Sequence, residues 1–177
     1  YSYFATHDVP VIITRASNNY GPYQFPEKIL PLFVTNLMDN IQVPLYGDGG
    51  NVRDWLHVLD HCRGVDLIMH AGQNGEVYNI GGGNEVKNID LTHSILSLCG
   101  KGKELIKPVA DRKGHDRRYS LSTKKLEAMG WAPQVPFEQG LKDTVAWYQA
   151  NEWWWRPIKE RDANYKAYMD AQYGKRG

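Results

Sequence analysis

Val9-Pro10-Val11-Ile12-Ile13-Thr14, followed after Arg15-Ala16 by Ser17-Asn18-Asn19-Tyr20-Gly21-Pro22-Tyr23-Gln24-Phe25-Pro26-Glu27-Lys28, sets the fold class. The first piece is a continuous apolar, β-branched run, and such runs mark strands buried on both faces, as in parallel sheets. The second is a loop dense in hydrogen-bonding groups. It leads into apolar residues at helical spacing, Ile29, Leu30, Leu32, Phe33, Leu37 and Met38. Pro26 before the first turn and Asn40 near the end bracket that helix. Strand, loop, helix is an α/β pattern, and the loop beyond a strand's carboxyl end is where open α/β proteins place ligands. An ordinary turn uses the same Asn, Gly and Pro residues. Lys28 at the helix start opposes the dipole, which an anion such as a ligand phosphate would relieve.

Ahead of that strand, Tyr1 to His7 reads as the last turns of a helix. A single parallel strand cannot stand alone, so the chain is expected to be the C-terminal part of a longer α/β protein, or a domain excised from one. Its 177 residues are enough for a real core. With 42% hydrophobic and 23% charged residues the chain is globular rather than disordered. A formal net charge of +1 argues against a nucleic-acid backbone as the main partner. Cys62 and Cys99 lie far apart and read as small core hydrophobes in a reducing compartment, not as a disulfide or a zinc site; no metal site stands out. No apolar run approaches the ~20 residues of a membrane span. The expectation is a cytoplasmic protein without a membrane partner. Six Trp and eleven Tyr suit sugar-like or ring-shaped ligands as well as cores.

Downstream, Val43 to Tyr46 reads as a short strand with Pro44 at a sheet edge, then a Gly-rich turn, then a second strand over Val52 to Val58. Arg53 beside that turn fits either a surface ion pair with Asp54 or a grip on a diphosphate. A helix over Leu59 to His70 takes Asp60 as N-cap, and one after Asn88-Ile89-Asp90 takes Asp90. Between them, strand Val77 to Ile80 ends at Gly81-Gly82-Gly83, where close backbone approach or positive φ on one side, and a merely flexible turn on the other, are both open explanations. Lys101 to Lys107 reads as a polar connector. Arg112, Lys113, His115, Arg117 and Arg118 then fall within seven residues, a density that suits an anionic ligand as well as a solvated loop. A short helix capped by Ser122 or Thr123 follows, then one with Phe137, Leu141, Val145 and Tyr148 on a stripe. The tail, with Trp153 to Trp155, Tyr165, Tyr168 and Tyr173, either packs back onto the body or covers a surface for another part.

Four stretches, in order, resemble the dTDP-glucose 4,6-dehydratase family of the extended short-chain dehydrogenase/reductase group. They are Ser17 to Lys28; Tyr46-Gly47-Asp48-Gly49 with Arg53-Asp54-Trp55; Tyr78-Asn79-Ile80-Gly81-Gly82; and Asp111 to Tyr119. The first and last are the more specific to the dTDP-glucose branch. The resemblance implies that Asn18 contacts the substrate and Asn19 the NAD side. It places Lys28 and Ile29 on the nucleotide sugar, and Pro44, Leu45 and Tyr46 around the thymine and its sugar. It gives the diphosphate to Arg53 and Arg112, with Asn88 and His115 completing that wall. The residues themselves had already marked Lys28, Arg53 and the Arg112 loop as anion-seeking; the base pocket comes from the resemblance alone.

The family's Gly-rich NAD loop, its acid-base pair and its Tyr-x-x-x-Lys do not occur in these 177 residues. In such enzymes the Tyr takes the sugar hydroxyl proton and the Lys lowers its pKa. The expected fold is therefore the C-terminal nucleotide-sugar-binding α/β domain of an extended short-chain dehydrogenase, with one residual Rossmann-type strand. Residues 1–24 would be the remnant of the NAD-binding domain and 25–177 the substrate domain. No catalytic residue is assigned to this chain. The parent would be an NAD-dependent lyase acting on a dTDP-sugar, as a homodimer. Another nucleotide-sugar epimerase or decarboxylase of the group, or a stand-alone sugar-nucleotide binding module, are the competing expectations.

Overall fold

The structure, a computed structural model, describes residues 1–174. In chain order its first half runs α1 (Ser2–His7), β1 (Ile13–Ala16), β2 (Asn18–Tyr20), α2 (Ile29–Met38), β3 (Val43–Tyr46), β4 (Val52–His57), α3 (Val58–Ala71) and β5 (Val77–Ile80). The second half runs β6 (Glu85–Lys87), α4 (Asn88–Leu98), a 3-10 turn, β7 (Ile106–Val109), α5 (Lys124–Glu127), α6 (Phe137–Ala150), α7 (Glu152–Arg161) and α8 (Ala163–Tyr173). These elements sort into two compact units, neither continuous in sequence. Unit one gathers Tyr1–Tyr20, Arg53–Glu85 and Tyr119–Phe137; unit two gathers Gly21–Val52, Val86–Arg118 and the chain from Glu138 onward.

In unit one, β1 pairs in parallel with β5, from Ile13↔Val77 to Ala16↔Ile80. The strand read as a residual one, its neighbours expected outside these residues, thus has a partner within the chain. It also starts later than the apolar run suggests. Val9 to Ile12 lie outside it, and Pro10, which has no N–H to donate, falls in the lead-in. Strand β2 continues the line and pairs in parallel with β4, Asn18↔Trp55 to Tyr20↔His57. Behind the strands, Leu56, Ile68, Tyr78, Ile80, Leu126 and Trp131 form one buried cluster. Tyr20 is buried among Trp55, His57 and Phe137, with ring centroids at 6.2, 5.3 and 5.6 Å, all edge-on.

The cap of α3 differs from expectation. His57 is the N-cap, its Nδ1 accepting the Leu59 N–H at 3.3 Å. Asp60 lies inside the first turn, buried. Its carboxylate accepts the Gln134 and Val135 amides, each at 3.0 Å, and the Arg63 guanidinium at 2.8 Å. Those bonds turn the carboxylate toward a distant loop, and the cap falls to His57. Cys62, read as a core residue, is exposed on α3, whereas Cys99 in unit two is half-buried and burial pushes its thiol up to about 11.

In unit two, α2 occupies the span its periodicity predicts and buries Leu30 through Leu37. Strand β3 pairs in parallel with β7, Val43↔Ile106 to Tyr46↔Val109. That pairing corrects the reading of Lys101 to Lys107 as connector: β7 begins at Ile106, and Lys107 and Pro108 leave its two middle positions exposed, hiding any alternation. Helix α4 starts from Lys87, not Asp90, which lies in the first turn where its charge suits the dipole. The tail folds back within this unit. Trp155 is fully buried and donates its Nε1–H to the Tyr148 carbonyl at 2.8 Å, and Arg156 reaches Asp39 at the end of α2 at 3.0 Å. Among the described residues, no helix is long and apolar enough to cross a membrane.

Candidate nucleotide-sugar site

In unit one, the expected site residues Asn18 and Asn19 sit just beyond the end of β1. Ser17 donates its amide to the Ile80 carbonyl at 3.0 Å, closing the parallel pair, and the chain turns into β2. Ala16, Ser17 and Asn18 line one side of a cavity of about 340 Å³, with Tyr119, Ser120 and Leu121 on the other. Asn19, half-buried, donates its side-chain amide to the Ser17 carbonyl at 3.1 Å. The Ser17 hydroxyl is buried and has no hydrogen-bond partner. Arg53, on β4, is only 6% exposed, and its guanidinium carbon lies 4.4 Å from the centroid of the Tyr119 ring.

Arg53 and Asp54 therefore do not form the surface ion pair that was one of the two readings. Asp54 is buried, and its carboxylate accepts the Gly82 amide at 3.0 Å and the Asn84 amide at 2.8 Å. Asn84 returns its side-chain amide to the Trp55 carbonyl at 3.1 Å. The triple glycine meets both demands left open by the sequence. A Cβ on Gly82 would stand 2.0 Å from the Trp55 carbonyl oxygen, and Gly83 has φ +69°.

In unit two, the ring of Tyr46 is the meeting point. The Arg112 guanidinium carbon lies 5.2 Å from its centroid, the His115 ring meets it edge-on at 5.9 Å, and Tyr173 stacks on it at 6.0 Å and 30°. His115 Nδ1 is 2.5 Å from Asp111 Oδ1, and this hydrogen bond holds the Asp111 carboxyl below its ordinary range. Burial, then a hydrogen bond with Tyr46, push the Tyr173 phenol up. Arg117, counted in the basic cluster, already has its anion. Its fork meets both Asp48 oxygens at 2.9 and 3.1 Å, which with the Gly50 amide lowers the Asp48 carboxyl to about 2.

The other expected positions are less concentrated. On β3, Pro44 and Tyr46 are half-buried while Leu45 points into the core, toward the position a Cβ on Gly49 would take. A ligand contact from Leu45 would fall to its backbone. Asn88 opens α4 and donates its amide to the Asn51 carbonyl at 2.9 Å; its side-chain oxygen is buried without a partner. Lys28 is exposed at the start of α2 and pairs with Glu27 at 2.7 Å, so its neighbour supplies the anion that its helix position calls for. Ile29 is the first, half-buried residue of that helix. Tyr173, Tyr119 and Asp48 were named from sequence, in the tail and in the family stretches, but not assigned to the site. Tyr119 at least adjoined the basic motif, whereas Tyr173 has no local signal, because its partner Tyr46 belongs to a distant strand.

A family model described as GDP-mannose 4,6 dehydratase matches residues 1–144. The chain is 57% identical over 163 residues to the dTDP-glucose 4,6-dehydratase of Streptomyces antibioticus, covering 92% of this chain and 49% of the relative. To dTDP-glucose 4,6-dehydratase 1 of Escherichia coli (strain K12) it is 43% identical over 176 residues, covering 95% and 48%. The crystal structure of the Streptomyces venezuelae dTDP-glucose 4,6-dehydratase with NAD and TYD bound superposes with a TM-score of 0.87 at 53% identity, over 89% of this chain and 49% of that one. The chain thus spans about half the length of the curated relatives it matches. Its fold is the expected extended short-chain dehydrogenase α/β fold. With the family model covering most of its length, the chain belongs to the GDP-mannose 4,6 dehydratase family.

Proposed function

We propose that this chain carries the sugar-nucleotide-binding residues of an NAD-dependent dTDP-glucose 4,6-dehydratase, which would convert dTDP-glucose to dTDP-4-keto-6-deoxyglucose and water. The supporting observation is the gathering around Tyr46. Tyr46, Arg112 and His115 were expected on one ligand, and they meet around a single ring. Tyr46 offers an aromatic surface for a flat base, and Arg112 a fork for phosphate oxygens. In unit one, Arg53 takes diphosphate charge and Asn18 a sugar hydroxyl.

The residues present suit NAD as one wall of its site. The partnerless buried Ser17 hydroxyl and the adjacent Asn19 amide lie at the end of β1, where such folds place ligands. NAD, when bound, supplies hydride acceptance and return. No Tyr-x-x-x-Lys occurs in the sequence, so these 177 residues alone are expected to bind but not to turn over substrate.

Calorimetric titration with dTDP-glucose tests this. Arg53→Ala and Arg112→Ala are each expected to weaken binding about ten- to a hundredfold, the worth of a charge-assisted hydrogen bond. UDP-glucose is expected to bind less tightly than dTDP-glucose. Unchanged affinity in both variants, or a preference for the uracil nucleotide, would refute the assignment.

A further inference from the structure

Arg53 is buried, and one face of its guanidinium is covered by an aromatic ring. A parallel bridge Val52↔Arg118, with the Val52 amide donating to the Arg117 carbonyl at 2.8 Å, lays the end of the basic loop alongside β4. The next residues along the two segments are then Arg53 and Tyr119, and they meet with the guanidinium carbon 4.4 Å from the ring centroid. Tyr119 is 49% exposed and lines the cavity with Asn18. From the other side, β4 is pinned through Asp54 to the Gly82 and Asn84 amides.

We infer that Tyr119 is a positioning residue: its ring holds the Arg53 guanidinium in the plane needed to meet a nucleotide's diphosphate, without itself touching the phosphates. An arginine side chain carries substantial rotamer freedom, which must be given up when it binds an anion. A ring stacked on its face removes part of that freedom beforehand without itself engaging the edges of the fork. Half of the ring stays in solvent, so its packing contribution to the fold is small.

The inference rests on the nucleotide-sugar reading, and a comparison of dTDP with thymidine on the intact protein separates the two. Tyr119→Leu is expected to weaken dTDP binding about tenfold and to leave thymidine, which has no phosphate, within twofold. Tyr119→Phe keeps the ring and is expected to stay within about threefold of the parent for both. In an Arg53→Gln background, Tyr119→Leu should cost nothing further, because there is no guanidinium left to hold. Equal losses for dTDP and thymidine, no loss for dTDP, or a full loss persisting in the Arg53→Gln background would overturn the positioning role. A parent protein that binds dTDP no better than thymidine would overturn the nucleotide-sugar reading and this inference together.

Discussion

Replacing Asp54 by Ala removes one carboxylate and leaves two backbone amides, those of Gly82 and Asn84, without their acceptor. Asp54 is 2% exposed, so water does not readily take its place. An orphaned buried donor costs about 1–3 kcal/mol, and relief of the carboxylate's own desolvation works in the opposite direction. The expected net loss is about 2–4 kcal/mol, a large share of the ~5–15 kcal/mol that holds a typical domain folded. Urea denaturation of the intact protein at pH 7 would read this as a lower midpoint at unchanged slope. Amide hydrogen exchange would localise it: Gly82 and Asn84 should lose protection while the interior of α2 keeps it. A loss below about 1 kcal/mol, or undiminished protection at both amides, would refute the claim that this carboxylate ties the glycine loop to β4.

Two further outcomes follow from the same geometry. Gly82→Ala should destabilise by about 2 kcal/mol or more, because the new methyl meets a backbone oxygen that has no rotamer to escape through; a melting temperature equal to or above the parent's would contradict the 2.0 Å approach to the Trp55 carbonyl. The Asp48 carboxyl is held near 2, below its ordinary 3.8, by Arg117 and the Gly50 amide. A depressed carboxyl contributes stability that is present above its unfolded pKa and lost as pH falls toward the folded one, here between about 4 and 2. Carboxyl NMR titration should place its midpoint near 2, moving back toward 3.8 in Arg117→Gln; a parent midpoint at 3.8 would show that the Asp48–Arg117 pair does not persist in solution.

Local chemistry made the helices and most strands legible. The Ile29 to Met38 helix and the Val77 to Ile80 strand stand where apolar spacing puts them, because burial acts on the same residues that carry the pattern. Strand β7 was missed because its alternation is masked by Lys107 and Pro108 at exposed positions. The cap at Asp60 was misassigned for a different reason. A capping carboxylate and one recruited by distant amides look alike in sequence, and Asp60 serves residues more than seventy positions away. The candidate site shows the same limit. Arg53 and Arg112 announce themselves by charge, but the rings against them, Tyr119 and Tyr173, are brought there by tertiary packing. Arg117 announced itself equally and turned out to be bound to Asp48.

The interleaving of the two units bears on how this sequence can be cut and recombined. The path changes unit after Tyr20, Val52, Glu85, Arg118 and Phe137. No single break point releases either unit as a continuous piece. A chimaera that borrowed one unit from a relative would need every one of those junctions rebuilt. A ribosome emitting this chain cannot finish the first unit until Phe137 has been made, by which time most of the second already exists. The strand that carries Arg53 straddles one such crossing, Val52 counted with one unit and Arg53 with the other. An insertion or deletion there would shift the register of the arginine proposed to grip the nucleotide.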